Sequence, residues 1–428
     1  MRADARPPAA RRNPLMPARQ DRRLVRTGDH WLHLPNPCGV PAEICARDDV
    51  PLEHAAVDEA LALLETARTL ERLAEATPGY DGPEPRIARV ALTPDFHKGA
   101  GIPIGTVLET EHALLPQAVG NDVNCGMRLE VTSLRADRVR PRLDALERRL
   151  RHLSFEGGRR IALTPVQREA LLRDGLPGLL LADGAPWQGV HSEDADDALD
   201  RMHAPGFPAA TAEAFADWVG SAGGASHDSV IGGIGGGDHF AAGNRFFLSL
   251  TMRAGLAAEC GGVDARLLYD APHNLFWQDG DRVVHRKGAT PAGGHEAMAG
   301  GPYAMWGEPV IVPGSMGAAS FVLRGHGDPR TLASACHGAG RRVPRGASAR
   351  GSDAELDAFL REFRVVTPLD HRDPVVARRS DVMAAWRRDL KQEAPWAYKD
   401  IGPVVSSLHG GGVAAPVAEL RPLLTVKG

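Results

Sequence analysis

Apolar residues recur along the chain at two spacings, and each spacing predicts a different kind of element. In residues 51–79 alanine and leucine repeat every three or four positions before a Pro-Gly stop, which predicts an amphipathic helix. Helices are also predicted at residues 135–152, 208–220 and 353–363. We therefore expect several helices separated by other kinds of structure.

Short apolar runs between glycine-rich turns predict strands instead. They occupy residues 86–130 and 229–345, and AAGNRFFLSL at 241–250 also has the character of a strand. Neither a repeat of fixed period nor a linker divides the chain after residue 30. Strands and helices without a regular βαβ period predict an α+β fold in one domain, residues 29–428.

Residues 1–28 differ from the rest of the chain. They are rich in arginine, proline and alanine and have few large apolar residues. Such a segment buries too little surface to offset the entropy of ordering it, so a disordered tail is predicted. An arm that binds nucleic acid and an incidental extension both stay open as interpretations.

The overall composition excludes some classes of protein. With 428 residues, 43% hydrophobic and 24% charged, and a net charge of −4, the chain is ordinary for a globular protein. No apolar run approaches the roughly 20 residues that span a bilayer. The N-terminus also lacks an apolar stretch of the signal-peptide type. We therefore expect a cytoplasmic protein without membrane contact.

The five cysteines are an odd number without a CxxC pair. In a cytoplasmic protein this pattern argues against structural disulfides. It leaves a thiolate metal ligand open.

Lysine is rare, since only five of the 50 basic residues are lysine. They stand at positions 98, 287, 391, 399 and 427. The bias predicts that lysine is kept where a compact ammonium matters, with random residue choice as the alternative.

Two glycine-flanked motifs contain residue types that bind metals. PDFHKGAGIPIG, residues 94–105, holds Asp95 ahead of glycines that let the backbone approach a ligand closely. In GNDVNCGMR, residues 120–128, Asp122 and Cys125 offer a hard oxygen and a soft thiolate to one cation. A purely structural role for the second motif is the alternative.

Two further motifs carry histidines. IGGIGGGDHF, residues 231–240, puts His239 on a glycine-rich backbone, and APHNLFW, residues 271–277, contains His273. A dinucleotide fingerprint in the first motif would need a strand before it and a helix after it. The strand predicted after it argues against that interpretation. A hydrogen-bonded structural role is the alternative for His273.

The last motifs suit phosphate groups. VPGSMGAASFV, residues 312–322, is a Pro-Gly turn with exposed amides, and CHGAGRRVPR, residues 336–345, places His337 ahead of glycines and arginines. A neutral imidazole can attack phosphorus while arginines stabilise the developing charge. Taken together, the motifs predict a metal-dependent enzyme that acts on phosphates at a site assembled from distant loops.

With these motifs in view, the chain resembles the RtcB family of RNA ligases from about residue 38 to its end. GNDVNCGMR is similar to the family's acid–cysteine metal motif, GGGDHF to its Gly-Asn-His-Phe segment, and CHGAGR to the loop with the guanylylated histidine. PHN, RKGAT, PGSMG, EAPWAYKD and the terminal VKG complete the resemblance. It implies one domain of mixed, mostly antiparallel sheets with surrounding helices.

The resemblance also implies a reaction. It is a GTP- and manganese-dependent joining of an RNA 3′-phosphate or 2′,3′-cyclic phosphate end to a 5′-hydroxyl end, in RNA repair or tRNA splicing. His337 would carry GMP covalently, and Asp95 would act near the 5′-hydroxyl. One or two Mn²⁺ ions would be held by Asp122, Cys125, His239 and His273. The nucleotide is expected to contact Asp238, Asn274, Pro313, Gly314, Ser315, Met316, Gly338, Ala339, Gly340, Arg341, Tyr398 and Lys427. RNA is the expected partner, and no activating protein is implied by name.

The chain departs from the family pattern near its predicted metal ligands. Ser249 or Leu250 replaces a further metal-binding histidine, Asp238 replaces the asparagine before the metal histidine, and Ala242 replaces a nucleotide-contacting glutamate. A weakened second metal site is therefore expected.

Two consequences of these departures stay open. The missing histidine would be compensated if Asp238, an aspartate that can ligate manganese, or Glu259 or Cys260 reached the metal. Without compensation, the chain would be a metal-dependent RNA phosphodiesterase or a catalytically silent relative that binds RNA or nucleotide.

Overall fold

The computed structural model describes residues 21–158, 164–181 and 227–428. Within these residues the strands are β1 (Val25–Gly28), β2 (Trp31–His33), β3 (Ala42–Cys45), β4 (Arg86–Ala100), β5 (Ile102–Glu111), β6 (Gly126–Thr132), β7 (Ala265–Pro272), β8 (Leu275–Asp279), β9 (Arg282–Lys287), β10 (Ala289–Pro291), β11 (Pro309–Val312), β12 (Ser320–Gly325), β13 (Ser334–Cys336), β14 (Arg364–Val366), β15 (Ala414–Leu420) and β16 (Leu424–Val426). The helices are α1 (His54–Ala76), α2 (Ala136–Val139), α3 (Leu143–Phe155), α4 (Pro165–Leu181), α5 (His227–Cys260), α6 (Arg345–Ser348), α7 (Asp353–Glu362), α8 (Pro374–Ala377), α9 (Ser380–Glu393) and α10 (Ile401–Gly410).

The strands form one large sheet and several small ones. The large sheet has the order β1-β2-β3-β4-β5-β9-β8. Three smaller groups are antiparallel: β6 with β7, β10 with β13, and β11-β12-β15. Among the described strands only β3–β4 and β14–β16 pair in parallel. The predicted α+β fold with mostly antiparallel sheets is confirmed.

Helix α1 covers one face of the large sheet and confirms the helix predicted within residues 51–79. Its buried side is spaced as the sequence indicates, with Val57, Leu63 and Leu64 turned inward. They join Ile44 and Leu92 of the sheet in one apolar core. Burial of this stripe holds the helix, since helices in proteins are stabilised mainly by packing of their apolar face.

A bulge in β4 interrupts the large sheet. Leu92 of β4 pairs with Thr106 of β5, and His97 pairs with Ile104. Residues 93–96 therefore face the single residue Gly105. Bulges of this kind redirect side chains out of the regular ladder. This one presents Asp95 to a neighbouring loop.

Helix α5 contradicts the strand predicted at residues 241–250. In the structure Ala242, Phe246 and Leu250 are buried, and their spacing of four residues is that of one helix face. The apolar residues of this run show no single clear period, so the sequence does not distinguish a strand from a helix here. Packing of this face inside the protein selects the helix.

The N-terminal boundary of the fold also differs from the prediction, because residues 21–28 are part of it. Strand β1 pairs with β2, and the buried Asp21 carboxylate accepts hydrogen bonds from Arg23. It also lies 2.7 Å from His54 at the start of α1. Arg23, one of the arginines on which the predicted tail rested, thus forms an ion pair with Asp21 inside the fold. Residues 1–20 lie outside the described part of the structure, as does the helix predicted at 208–220.

Two other helix predictions are confirmed. Helices α2 and α3 cover most of residues 135–152, and α7 covers 353–362. All five cysteines are free thiols. In the described part of the chain, no helix combines the length and the apolar character needed to cross a bilayer.

The carboxylate of Glu147 in α3 pairs with three arginines. Its side chain is 3% exposed and contacts Arg151 and Arg364 at 3.0 Å, and also Arg372. Glu147→Ala would leave three arginines without this partner, two of them from another segment. We expect the free energy of unfolding to fall by about 3–5 kcal/mol in urea denaturation. Glu156→Ala, at the exposed residue that directly follows the same helix, should cost less than about 1 kcal/mol. Equal losses would contradict this account.

Candidate active site

A cleft of about 1100 Å³ opens beside the β4 bulge. Its walls come from residues 97–104, 117–127, 313–320 and 337–345, and from the C-terminal segment. Small-molecule sites usually occupy about 300–1,000 Å³. The cleft is therefore large enough for a nucleotide with further substrate beside it.

His337 lines the cleft, and Asp95 lies directly behind it with no surface in the cleft. His337 directly follows β13, and Asp95 stands in the β4 bulge. The imidazole Nδ1 lies 2.8 Å from Asp95 Oδ2. The Asp95 side chain has no exposed surface, whereas that of His337 is 23% exposed. Thr93 donates its hydroxyl to the other carboxylate oxygen of Asp95. An Nδ1–H group facing Asp95 leaves Nε2 as the nitrogen that can react.

The electrostatics of His337 reflect two opposing effects. Burial by itself lowers the pKa of the imidazole, but the hydrogen bond and negative charge of Asp95 raise it, and so does the Gly288 backbone. The balance places the pKa of His337 above its ordinary value. Asp95 thus stabilises positive charge on His337.

Gly340 allows the reactive loop to approach Asp95. Its φ is +73°, and a Cβ at this position would lie 2.3 Å from the Asp95 carbonyl oxygen. A side chain is therefore excluded on both grounds. Gly338 and Ala339, between His337 and Gly340, also line the cleft.

The acid–cysteine loop lies on another wall of the cleft, which includes Asp122 and Cys125. Asn124 has a φ of +49°, and its carbonyl oxygen accepts a hydrogen bond from Arg245 of α5. The Cys125 carbonyl accepts from the His273 amide at 2.9 Å. Burial raises the pKa of the Cys125 thiol to about 12, and the Asp122 charge and hydrogen bond act in the same direction. Without a cation the thiol stays protonated.

His273 contributes an imidazole to the same cleft, stacked at an angle on His337 with ring centroids 4.8 Å apart. Burial holds the pKa of His273 well below its ordinary value, with the charges of His337 and Arg245 adding to this effect. Its Nδ1 is buried and has no hydrogen-bond partner among the described residues. A buried imidazole nitrogen without a partner is a candidate ligand atom.

Carboxylate, thiolate and imidazole can all ligate a divalent transition-metal ion, and carboxylate is the donor among them that manganese prefers. The fit is carried by the unpartnered His273 nitrogen. Within the part of the chain that the structure describes, however, no three His, Cys, Asp or Glu side chains converge as a cluster. The side chains of Asp238 and His239 lie outside the described part, so the predicted four-ligand set stays a prediction.

The residues at the position of the missing histidine, and the two candidates for its replacement nearby, all make other contacts. Ser249 donates its hydroxyl to Glu130 at 2.5 Å, and Leu250 is buried. Glu259 accepts from Arg149 on the outside of α3, and Cys260 packs against an apolar cluster. Neither Glu259 nor Cys260 therefore lies on the cleft wall.

Asn274 joins two walls of the cleft. Its φ is +59°, its amide nitrogen donates to the Asp122 carbonyl at 2.9 Å, and its amide oxygen accepts from the Gly288 amide at 2.7 Å. An asparagine tolerates this left-handed conformation better than most residues. Its side chain is engaged in holding the acid–cysteine loop.

Apart from Asp238, the predicted nucleotide-binding residues all line the cleft. Arg341 donates to Glu393 Oε1 at 2.9 Å and lies over the Tyr398 ring at 4.8 Å. The Tyr398 hydroxyl donates to the other oxygen of Glu393. Lys427 binds Asp389 at 2.5 Å. These contacts bring the reactive loop and the C-terminus to one end of the cleft.

Glu393 and Lys287 are two of the charged lining residues to which the sequence assigned no role. Glu393 is the first residue of EAPWAYKD, and Lys287 is one of the five lysines, so both carried a signal. Arg286 beside Lys287 points elsewhere: it donates to Ser334 at 2.8 Å and stacks on Trp277. Successive side chains of β9 point to opposite faces of the sheet, so the side chains of Arg286 and Lys287 are separated.

Comparisons with known proteins agree with this geometry. A family model described as tRNA-splicing ligase RtcB matches residues 84–242 and 240–428. The chain is 29% identical to the tRNA-splicing ligase RtcB of Thermococcus kodakarensis, over 89% of this chain and 95% of that protein. It is 26% identical to the tRNA-splicing ligase RtcB of Pyrobaculum aerophilum, over 79% of this chain and 87% of that protein. For the RNA-splicing ligase RtcB of Mycobacterium tuberculosis the identity is 36%, over 43% of this chain and 41% of that protein.

Asp95→Asn tests the electrostatic pairing in the cleft. Without the Asp95 charge, mainly the Gly288 backbone still opposes the effect of burial on His337, and its pKa should fall below the ordinary value of about 6.5. NMR titration of ¹⁵N-histidine-labelled protein measures this change. Asp281→Asn is the control, because Asp281 lies 3.5 Å from another histidine, His112. A His337 pKa that stays above its ordinary value in Asp95→Asn would refute the pairing.

Proposed function

The chain belongs to the RtcB family of RNA-splicing ligases, and on that premise we propose that it is a GTP- and manganese-dependent RNA ligase. It would join RNA 3′-phosphate or 2′,3′-cyclic phosphate ends to 5′-hydroxyl ends through a histidine–GMP intermediate, in RNA repair or tRNA splicing. The observation that carries the proposal is the His337–Asp95 pair, whose histidine lines the cleft. It supplies an oriented nucleophile beside the loops expected to bind nucleotide.

The first chemical step concerns His337. Its Nε2 lone pair attacks the α-phosphorus of GTP, the bond to the β-phosphate oxygen breaks, and pyrophosphate leaves. Asp95 holds the Nδ1 proton and stabilises the positive charge that develops on the ring. Covalent attachment of GMP divides one difficult displacement into easier ones.

The remaining steps transfer GMP to RNA and then release it. A 2′,3′-cyclic end is first opened by water to a 3′-phosphate. An oxygen of that phosphate attacks the GMP phosphorus and frees His337. The 5′-hydroxyl oxygen then attacks the RNA 3′-phosphorus, a phosphodiester forms, and GMP leaves. The departing GMP phosphate takes up the hydroxyl proton. A role for Asp95 near this hydroxyl stays a prediction, and it would require the enclosed carboxylate to become accessible.

The nucleotide would lie between the reactive loop and the C-terminus. Ser315, Tyr398 and Lys427 would face the guanine, and Gly338, Gly340 and Arg341 would line the phosphates. Support comes from their common position on the cleft wall. The exposed backbone amides of the 313–316 turn suit phosphate or base contacts.

Asp122, Cys125, His239 and His273 would hold manganese. When bound, the metal neutralises triphosphate charge and polarises phosphate oxygens. Because the pKa of the Cys125 thiol is raised to about 12, binding would have to release a proton. Affinity for manganese is therefore expected to rise with pH.

The RNA substrate would meet positive charge at the mouth of the cleft. Arg342 is exposed next to the reactive loop, and Arg345 lines the cleft. Arginine suits phosphate contacts because its guanidinium is planar and permanently charged. Aromatic residues make up 5% of the chain, so we assign RNA binding chiefly to arginines and metal rather than base stacking.

A specific observation favours a second candidate function. Ser249 and Leu250 provide no imidazole, and Ser249 is bonded to Glu130. A site with one ligand fewer would suit a metal-dependent RNA phosphodiesterase or a silent RNA- or nucleotide-binding relative. Dependence on GTP separates these from the ligase.

Incubation with α-labelled GTP and manganese, followed by denaturing electrophoresis, tests the proposal. We expect a covalently labelled band from the native chain. His337→Ala should lose it because the nucleophile is gone, and Cys125→Ala should lose both manganese binding and the label. His409→Ala, an exposed histidine of α10, should keep the label.

Either of two results would count against the proposal. Label retained in His337→Ala would remove the assigned nucleophile. A native protein that is folded and binds manganese but takes no label would favour the second candidate function.

A further inference from the structure

Lys399 is a buried cation directly behind the Asp95–His337 pair. It is 4% exposed, and its Nζ donates to the Phe96 carbonyl at 2.7 Å and to the Pro94 carbonyl at 3.3 Å. These are the two residues on either side of Asp95. The ammonium therefore holds both ends of the short segment that carries the carboxylate.

The β4 bulge explains why an ammonium is needed there. Residues 93–96 leave the regular ladder with β5, so their carbonyl groups must find partners other than that strand. A buried carbonyl without a hydrogen-bond partner destabilises the fold. Lys399 has three donors on one compact group and bonds two of these carbonyls at once.

The backbone of Lys399 also reaches the loop that carries His337. Its amide donates to the Gly340 carbonyl at 3.0 Å. Gly340 in turn packs directly on the Asp95 carbonyl oxygen. One residue from the C-terminal region thus contacts both segments whose side chains form the pair.

Charge balance supports the same assignment. The Asp95 carboxylate is fully enclosed, and a buried charge needs an opposite charge nearby. Burial lowers the pKa of Lys399 to about 8, and the Asp95 charge acts against this decrease. The ammonium is still mostly protonated at neutral pH.

We propose that Lys399 is a positioning residue that fixes the Asp95 carboxylate against His337 by bonding the carbonyls of Pro94 and Phe96. The inference rests on the proposed function insofar as the pair is said to act on GTP. Lys399 itself lies behind the pair and is not assigned contact with substrate.

The kinetic test compares Lys399→Met with the native chain. Methionine keeps the length and apolar stem but has no donor or charge. With folding verified by thermal melting, we expect the maximal rate of His337 labelling by GTP to fall by about 10- to 100-fold. The GTP concentration for half-maximal labelling should change by less than about twofold. A purely structural role would reduce rate only in proportion to folded protein.

A second measurement needs no substrate. In ¹⁵N-histidine-labelled protein, the Nδ1–H proton of His337 bonded to Asp95 should give a downfield NMR signal, assigned by its loss in His337→Gln. Lys399→Met should abolish or broaden this signal. If the native chain takes no label from GTP, the proposed function fails while this signal still decides the role of Lys399.

Lys391→Met is the matched control. Lys391 is also buried, but its ammonium pairs with Asp353 of α7 at 2.7 Å instead of with the segment that carries Asp95. It should keep both the labelling rate and the signal. If Lys399→Met does not fold, Lys399→Gln, which removes the charge but keeps a donor, should weaken both readouts. A folded Lys399→Met or Lys399→Gln with native rate and native signal would overturn the proposal.

Discussion

The enclosed carboxylate of Asp95 is the constraint on which the site depends. A charge removed from water costs several kcal/mol unless it is paired and hydrogen-bonded. Here the bulge in β4 carries it inward, and Thr93, His337 and Lys399 surround it. The same contacts fix the reactive loop, because Gly340 packs on the Asp95 backbone. The bulge, the loop and the C-terminal segment are therefore interdependent.

A second set of buried charges fixes the acid–cysteine loop. Asp270 of β7, whose side chain has no exposed surface, pairs with Arg245 of α5 at 2.7 Å and with Arg128 at 3.4 Å. Arg245 also bonds the Asn124 carbonyl beside Cys125. On the same helix Ser249 bonds Glu130. Ser249, where the resemblance leads us to expect a metal histidine, thus attaches the helix to the antiparallel pair β6–β7.

Sequence reasoning identified the local pieces of this arrangement better than their connections. The sequence predicts that His337 and Asp95 are both catalytic. Their contact depends on the β4 bulge, which no residue pattern indicates. Local periodicity predicted α1, but it assigned a strand where packing of Ala242 and Phe246 selects α5. The sequence shows Lys399 only as one of five lysines and as part of EAPWAYKD. Its role depends on hydrogen bonds to carbonyls about 300 residues away. Long-range partners of buried polar groups are the part that sequence alone does not contain.

Sealing of RNA by this chain is tested most directly by tracing the fate of a labelled RNA 3′-phosphate. An RNA with a radiolabelled 3′-phosphate is mixed with a second RNA carrying a 5′-hydroxyl, GTP, manganese and the protein, and the products are treated with phosphatase. The account predicts a longer RNA whose label resists phosphatase, because the 3′-phosphate has become the internal linkage. Label that remains removable, with no longer RNA formed by folded, metal-loaded protein, would contradict it.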